Sequence, residues 1–325
     1  MLDRGGKCLA NIVFLGVCLA AVSGCATINL GPSIAPLKEK VVLGKGPEKV
    51  LLLDIHGMIS NVEKRSLAGF LIKLGMVERV REILRKAEED DRIKALLVRI
   101  NSPGGTVTSS DIIYHEIKSF KEKKKVRVYV SMLDLAASGG YYIAMAGDKI
   151  MAHPTTLTGS IGVIALKLNM QELFHKVGVG WEVVKSGDKK DFLSPFRPLT
   201  KEERRLFQDT IDSYHQRFLH VIAENRPGLD MDQIANLADG RVYNARQALD
   251  SQLIDKIGYM EDTLKLIEQE LKISDPKVIT YHRPGEYKSN IYSSLSGAPT
   301  INLVNINLGL DPITTSPNFM YLWMQ

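Results

Sequence analysis

Ser138 stands in Ala136-Ala137-Ser138-Gly139-Gly140-Tyr141-Tyr142, with small residues before it and glycines after it. The pattern places a serine where a chain enters a helix and leaves room for another backbone to approach. A helix N-terminus also stabilises negative charge developing nearby. These are the requirements of a nucleophilic serine beside an oxyanion hole. The bland reading of the same residue is a helix N-cap, a common use of serine. A second candidate is Asn101-Ser102-Pro103-Gly104-Gly105, at the end of an apolar run of strand length. Ligand sites in open α/β sheets lie at the carboxyl ends of strands. Pro103 fixes φ and the two glycines permit unusual backbone shapes, so the turn can aim amides at an anion. Its bland reading is an ordinary tight turn.

A serine nucleophile needs a base. The seven histidines are His56, His115, His153, His175, His215, His220 and His282. None lies in a Gly- or Ser-rich turn that suggests a triad, and Ser138 lacks the G-x-S-x-G elbow. His56, at a strand end, is the best of them. Lysine is the other option, provided it is neutral. That requires its pKa to fall from ~10.4 towards working pH, and three units cost about 4 kcal/mol, within reach of an apolar pocket. Lys185-Ser186-Gly187-Asp188-Lys189-Lys190-Asp191 offers three lysines, and spacing alone does not choose between Lys189 and Lys190. The bland reading of each is a solvated surface charge.

The elements that must position these groups are legible in apolar patterning. Short apolar runs at Val50 to Ile55, Ala95 to Ile100 and Val126 to Val130 read as buried strands, as do Lys149 to Ala152, Ser160 to Ala165 and Trp181 to Val184. Helical patterns lie at Leu67 to Glu89, Ser109 to Lys121 and Ser138 to Ala146. This alternation implies βαβ units and a largely parallel sheet. The second half is more helical. Thr200-Lys201-Glu202-Glu203 is a capping box opening a helix to about Asn225, with shorter helices near 231–238, 245–250 and 260–271.

The 325 residues, 45 % hydrophobic and 24 % charged, describe a globular chain large enough to need no disulfide or metal staple. A net charge of +5 is too small and too dispersed to argue for nucleic-acid binding. The three cysteines, Cys8, Cys18 and Cys25, all precede residue 26. That excludes a disulfide framework, a zinc ribbon and cysteine-protease chemistry in the body. Residues 1–25 read as a secretory leader: Arg4 and Lys7, then an apolar stretch from Leu9 to Val22, short for a membrane span. Val22-Ser23-Gly24-Cys25 resembles a bacterial lipobox, which implies a lipidated Cys25 as the first mature residue. The rival reading is a short uncleaved anchor. Either places the body outside the cytoplasm, and Ala26 favours the outer membrane. Residues 26–46 read as a linker, 47–275 as the main domain and 276–325 as an extension. The extension ends in Phe319-Met320-Tyr321-Leu322-Trp323-Met324, too apolar to lie free in water. It is expected on its own domain, on a neighbouring subunit or in a groove.

Taken in order, these segments resemble the bacterial signal peptide peptidase family of serine proteases (SppA type). The resemblance runs from about Leu43 to Thr263. It rests on Ile100-Asn101-Ser102-Pro103-Gly104-Gly105, the Ser138 segment, and Thr158-Gly159-Ser160-Ile161-Gly162-Val163-Ile164. The Lys185 to Asp191 segment comes next, then Gly240-Arg241-Val242-Tyr243 and Leu253-Ile254-Asp255. The resemblance implies Ser138 as nucleophile and Lys190 as general base. It implies Gly105 and Gly139 as oxyanion-hole donors and Ser160 as a hydroxyl that orients the lysine. It also implies an α/β fold like that of ClpP and the crotonases, with stacked βαβ units and a helical C-terminal half.

Peptide substrates such as signal-peptide remnants are implied, with no metal or cofactor and no nucleic acid. Members assemble into ring- or dome-shaped homo-oligomers, and the short, single-repeat form shares Ser and Lys between adjacent subunits. On this reading the apolar end is bound or trimmed by the enzyme itself. Two rivals remain: a crotonase-like acyl-CoA enzyme, which the secretory leader opposes, and a non-catalytic envelope lipoprotein serving as an assembly module.

Overall fold

Val50-Leu51-Leu52-Leu53 shows no polar alternation, the mark of a strand covered on both faces. In the computed structural model it lies within β2 (Lys49–His56), buried along its length except at His56. The structure describes residues 35–62, 64–65, 72–284, 290–293 and 319–323. The chain divides into two units. The first, residues 1–34 with 65–72, lies almost wholly outside the described residues, so the leader, Cys25 and the start of the linker do too. The second carries the main sheet and the candidate site.

The elements run in the order β1 (Lys38–Leu43), β2, α1 (Met76–Glu88), β3 (Ile93–Ser102), β4 (Gly104–Thr106), α2 (Val107–Lys124) and β5 (Arg127–Ala137). Next come α3 (Gly139–Ala144), β6 (Lys149–Ala152), β7 (Leu157–Gly159), β8 (Ile164–Ala165) and α4 (Gln171–Lys176). The second half holds α5 (Lys201–Asn225), α6 (Met231–Leu237), β9 (Val242–Asn244), α7 (Ala245–Asp250), β10 (Lys256–Ile257) and α8 (Met260–Leu271), then β11 (Lys277–His282) and β12 (Phe319–Leu322).

Among the described residues the main sheet has the order β1-β11-β2-β3-β5-β6-β10, with β7 pairing β5 and β9 pairing β7. Pairings β11 to β2, β2 to β3, β3 to β5 and β5 to β6 are all parallel, as the βαβ pattern requires. The sheet has two apolar faces. Leu51, Leu53, Ile55, Leu96, Val98 and Val128 belong to the larger cluster, with α1, α2, α3 and α5. Val50, Leu52, Leu97 and Tyr129 pack with Met260, Leu264 and Ile267 of α8. Each such side chain contributes roughly 1.5–3 kcal/mol by leaving water. Asp54 and Arg99 face each other across β2 and β3 as a buried ion pair, Nε to carboxylate 2.8 Å. The Arg99 guanidinium also donates to the Ile291 and Ser293 carbonyls, which ties residues 290–293 to the sheet.

Several expectations are corrected. Of the helix expected from Leu67 to Glu89, residues 67–71 lie outside the described residues, and the described helix starts at Met76, with Gly75 at an extended ψ of 156° as its N-cap. Residues 38–43, placed in the linker, form a strand antiparallel to β11, and β11 itself lies in the stretch assigned to the extension. Of the strand expected over Ser160 to Ala165, only Ile164–Ala165 forms, because Ser160 turns the chain at φ 48°. Trp181 to Val184 is not a strand. A strand needs a ladder partner, and Val184 is instead 96 % exposed.

Candidate active site

β5 delivers Ser138. Ala137 pairs with Gly159 of β7, and the Ser138 amide donates to the Gly159 carbonyl at 2.7 Å. The next residue opens α3, whose first turn closes from the Tyr142 amide onto the Ser138 carbonyl at 2.8 Å. The strand therefore becomes a helix across one residue, and Ser138 absorbs the bend at φ 52°, ψ −112°. An L-residue held in a sparsely populated conformation costs about 1–3 kcal/mol and persists only where its surroundings impose it. Ser138 sits at the N-cap position but makes no capping bond. Its side chain is buried, 1 % exposed, and its Oγ has no hydrogen-bond partner among the described residues. An unsatisfied buried hydroxyl costs about 1–3 kcal/mol. Two penalties on one residue argue against the N-cap reading and for a group held ready for chemistry.

The turn after β3 is built by a residue the sequence reading did not single out. The Ser102 hydroxyl donates to the Gly57 carbonyl at 2.6 Å and accepts from the Gly104 amide at 3.1 Å. β4 then runs beside Ile59, whose amide donates to the Gly104 carbonyl at 2.8 Å and whose carbonyl accepts from the Thr106 amide at 2.9 Å. Backbone groups alternate sides along a strand, so the amide and carbonyl of Gly105 face away from Ile59. A Cβ on Gly105 would stand 1.9 Å from the Ile59 carbonyl oxygen, so no larger residue fits without moving that strand.

On the free side of β4 lies β12, antiparallel, with Tyr321 opposite Gly105 and Leu322 opposite Gly104. The Trp323 amide donates to the Pro103 carbonyl at 2.9 Å. Hydrogen-bonded pairs recur every second residue in an antiparallel ladder, so Tyr321 and Gly105 form the next such pair. The Gly105 amide thus points at the Tyr321 carbonyl. That oxygen would lie 2.0 Å from a Cβ on Gly104 and 3.1 Å from one on Gly139. Gly139, as the first residue of α3, has an amide with no intrahelical acceptor. The Gly105 amide and the start of α3 at Gly139 therefore both lie against the Tyr321 carbonyl oxygen.

Ser160 comes directly after Gly159, is buried, and donates its amide to the Arg241 carbonyl at 2.8 Å. It lines a cavity of about 570 Å³ with Ile161, Gly162, Leu322 and Trp323. The side chain of Tyr321 is fully buried, stacked on Tyr142 at 5.0 Å between centroids and 4.7 Å from Phe218. Its hydroxyl donates to the Tyr214 carbonyl at 2.8 Å. Burial raises the Tyr321 and Tyr142 phenols well above their ordinary range, and the bond from Tyr142 to Asp111 adds to the second shift. Both phenols are therefore neutral at working pH.

Lys190 stands apart from this cluster. Its amide bonds the Gly187 carbonyl at 3.0 Å and its side chain is exposed. It does not bond the Ser138 hydroxyl, which has no partner among the described residues. Neither does any described histidine, and His56 is exposed at the end of β2. The segment carrying Lys190 is well anchored. Asp191 accepts from Lys185 at 2.7 Å and from Arg197 at 2.9 and 2.8 Å. Arg197 also grips Glu203 at 2.8 and 2.6 Å, inside the capping box of α5. Arg197, then Lys185, hold the Asp191 carboxyl well below the usual range. Arg197, then the Thr200 amide, hold Glu203 at about 2. Lys189 pairs with Glu202 at 2.6 Å. Of the three lysines, Lys190 alone has no ion pair among the described residues.

One chain thus brings together Ser138, Gly139, Gly105 and Ser160 and leaves Lys190 on the surface. The sequence reading missed Ser102, Ile59, Phe218 and the role of Tyr142. Ser102 and Tyr142 lay inside quoted motifs, whereas Ile59 and Phe218 carry no local signal. Among the described residues no group of three or more His, Cys, Asp or Glu could hold a metal, and no helix is long and apolar enough to cross a membrane.

The family model for peptidase family S49 matches residues 119–274, and that for Clp protease matches residues 62–158. An Enterococcus faecium protein named for signal peptide peptidase SppA is 37 % identical over 244 residues, 75 % of this chain and 70 % of that protein. A protease-named protein of Synechocystis is 44 % identical over 215 residues, 66 % of this chain and 72 % of its own length. Among solved structures, a ClpP1 chain from Listeria monocytogenes aligns with a TM-score of 0.43 and 22 % identity, covering 66 % of this chain and 94 % of that one.

Proposed function

The chain belongs to peptidase family S49, and from that membership we propose that Ser138 and Lys190 are the catalytic dyad of a membrane-tethered endopeptidase. It is a serine endopeptidase with an α/β fold of the ClpP type. The observation that carries the dyad is the buried, strained and partnerless Ser138 hydroxyl at the start of α3. The acyl-CoA and assembly-module readings have no comparable support.

Neutral Lys190 takes the proton of Ser138 as Oγ attacks a peptide carbonyl. The amides of Gly105 and Gly139 hold the oxyanion, where a single donor is worth about 2.7–4 kcal/mol. The lysinium protonates the leaving amine, and water then hydrolyses the acyl-enzyme with Lys190 again as base. Ser160, one residue past the Gly159 carbonyl that anchors Ser138, orients the lysine.

Lys190 reaches Ser138 from a neighbouring subunit of a homo-oligomer. Two observations support this. The Ser138 hydroxyl finds no base among the described residues of its own chain, and the segment leading to Lys190 exposes Leu168, Leu173, Val177, Val179 and Val184. Contiguous exposed apolar side chains mark a surface that becomes covered. The leader of residues 1–25, with Cys25 lipidated, tethers the body outside the cytoplasm, the outer membrane being favoured. The substrates are unfolded envelope peptides, remnant signal peptides among them. Residues 47–275 carry the site, with 26–46 leading to it and 276–325 beyond it.

The test is hydrolysis of an unfolded, apolar-rich peptide by the full chain in detergent, beside Ser138→Ala, Lys190→Ala and Lys189→Ala. Loss in the first two with Lys189→Ala active is expected. Equal slow turnover in all four sinks the dyad.

A further inference from the structure

We propose that Arg197 is a positioning residue for the base: it fixes the segment that carries Lys190 and occupies the carboxylate next to it, so that the Lys190 amine stays unpaired and free to take the Ser138 proton. This role rests on the reading of Lys190 as base.

Arg197 lies where three parts of the chain meet. Its guanidinium donates to Asp191 through Nε at 2.9 Å and Nη2 at 2.8 Å, and to Glu203 through Nη1 at 2.8 Å and Nη2 at 2.6 Å. The Asp191 and Glu203 side chains are only 10 % and 2 % exposed, so these bonds are shielded from water, unlike ordinary surface pairs. Glu203 also accepts from the Thr200 amide at 2.9 Å, inside the capping box of α5. The Arg197 carbonyl accepts from the Lys167 amine, two residues past β8, and the Pro195 carbonyl accepts from the Met170 amide at 2.7 Å. The residue after Lys190 is thereby tied to the start of α5 and to the stretch that follows β8. Four N–H bonds to two carboxylates need the planar guanidinium; an ammonium has only three donors on one nitrogen.

Asp191 is also the natural ion-pair partner of Lys190, because consecutive Cα atoms stand about 3.8 Å apart. It already accepts three bonds, one from Lys185 at 2.7 Å and two from Arg197. A carboxylate offers about four acceptor sites, so little is left for Lys190. Lys185, Arg197, Asp191 and Glu203 form a cluster whose charges cancel. Beside a neutral cluster the Lys190 amine feels no net pull towards the ammonium form. The same guanidinium acts on a second amine: burial, then the Arg197 charge, lowers Lys167 below the ordinary lysine range.

The other charged groups near Lys190 in sequence are Asp188 and Lys189, with Lys201 and Glu202 at the start of α5. Lys189 and Glu202 pair with each other. Asp188 has no ion pair among the described residues, with Lys190 or any other group. On the receiving subunit, the titratable groups that line the cavity beside Ser160 are Asp212, His215 and Asp239. They are the same in every variant below.

Removing one member unbalances the cluster in a known direction. Without Arg197 it is left negative, Asp191 opens to Lys190, and the ammonium form is favoured. Without the Asp191 carboxylate it is left positive, and the neutral amine is favoured. Removing both restores the balance.

The test is the pH profile of kcat/KM for an unfolded, apolar-rich peptide, with the full chain in detergent. Wild type is run beside Arg197→Met, Asp191→Asn, their double variant, Arg197→Met with Asp188→Asn, and Lys190→Ala. The acid limb reports the group that must lose its proton to act as base. It should move up by about one unit in Arg197→Met, which is about ten-fold lower kcat/KM on the limb. It should move down by roughly half a unit in Asp191→Asn, which keeps the test decisive should Arg197→Met fail to fold. The double variant should return to the wild-type limb, and Asp188→Asn should not bring it back. A second readout is acetylation of Lys190 by acetic anhydride against pH, followed by mass spectrometry in Ser138→Ala chains. Its midpoint should move in the same directions.

A uniform loss in Arg197→Met with the limb unmoved means a merely structural role and overturns the proposal. So does full restoration by Asp188→Asn, or a limb that moves while Lys190 acetylation does not. In each of these cases an inactive Lys190→Ala leaves the dyad standing. Lys190→Ala with wild-type activity sinks the dyad, and this role of Arg197 with it.

Discussion

Removing the Ser138 hydroxyl should make the protein more stable while abolishing its activity. A buried serine with normal hydrogen bonds loses stability on conversion to alanine. Ser138 differs because its Oγ is buried without a partner, and its backbone stands at φ 52°, ψ −112°. Deleting an unsatisfied hydroxyl returns about 1–3 kcal/mol of desolvation cost. The void left by one oxygen is smaller than a methyl group and takes back less than ~1 kcal/mol. Ser138→Ala should therefore gain about 1 kcal/mol or slightly more, a rise in Tm of roughly 2–4 °C. Ser138→Gly also relieves the backbone strain of about 1–3 kcal/mol, against a glycine entropy cost of ~0.5–1 kcal/mol. It should be at least as stable as the alanine variant. The assay is denaturant unfolding of the three chains in a Lys190→Ala background, so that none is hydrolytically active. Hydrolysis in the native background should fall about 10⁴-fold or more in both variants. An alanine variant less stable than its parent would mean that the hydroxyl is bonded after all, and the argument from stored cost would fail.

Single contacts give three further predictions. Gly105→Ala puts a Cβ 1.9 Å from the Ile59 carbonyl oxygen. It should displace β4 and its amide, cutting kcat/KM by about 10²–10³-fold and costing about 1–3 kcal/mol; activity within three-fold of wild type would remove Gly105 from the oxyanion hole. Arg197→Met removes the cation that holds Glu203 at about 2 against 4.5. A depressed carboxyl stabilises the fold above its unfolded pKa and ceases to do so as pH falls through the folded one. The stability gap between wild type and Arg197→Met, read from urea midpoints, should be constant above pH 5 and shrink between pH 4.5 and 2; a gap unchanged at pH 2 would refute the assignment. Tyr142→Phe removes the bond to Asp111 but keeps the ring under Tyr321. It should cost about 1–2 kcal/mol by thermal unfolding; a variant as stable as wild type would show that the bond to Asp111 contributes nothing to the fold.

Much of the fold was legible because it is locally encoded. Continuous apolar runs announced the covered parallel strands, and the box at Thr200 opened α5 where expected. Where the sequence misled, a partner was missing from view. Trp181 to Val184 has strand composition but no ladder to join. Lys38–Leu43 looks like linker, yet β11, about 240 residues away, recruits it as an edge. The motifs around Gly105, Ser138 and Ser160 were visible because tight turns restrict residue type wherever they occur.

The sequence by itself determined which residues were able to do chemistry: a serine between small residues, glycines whose amides are accessible, and lysines near a carboxylate. The tertiary structure decided which of them meet. Parallel pairing of β5 with β7 sets Ser138 beside Ser160, and Ile59 turns the Gly105 amide toward β12. Ion pairs occupy Lys185 and Lys189 and leave Lys190 without one among the described residues. The same folding lays β12 between β4 and β8, about 215 and 155 positions away along the chain. Local composition fixes what a residue can do, because side-chain chemistry and backbone freedom are properties of the residue. Position and pairing depend on ladders and packing between distant segments, which no short window of sequence contains.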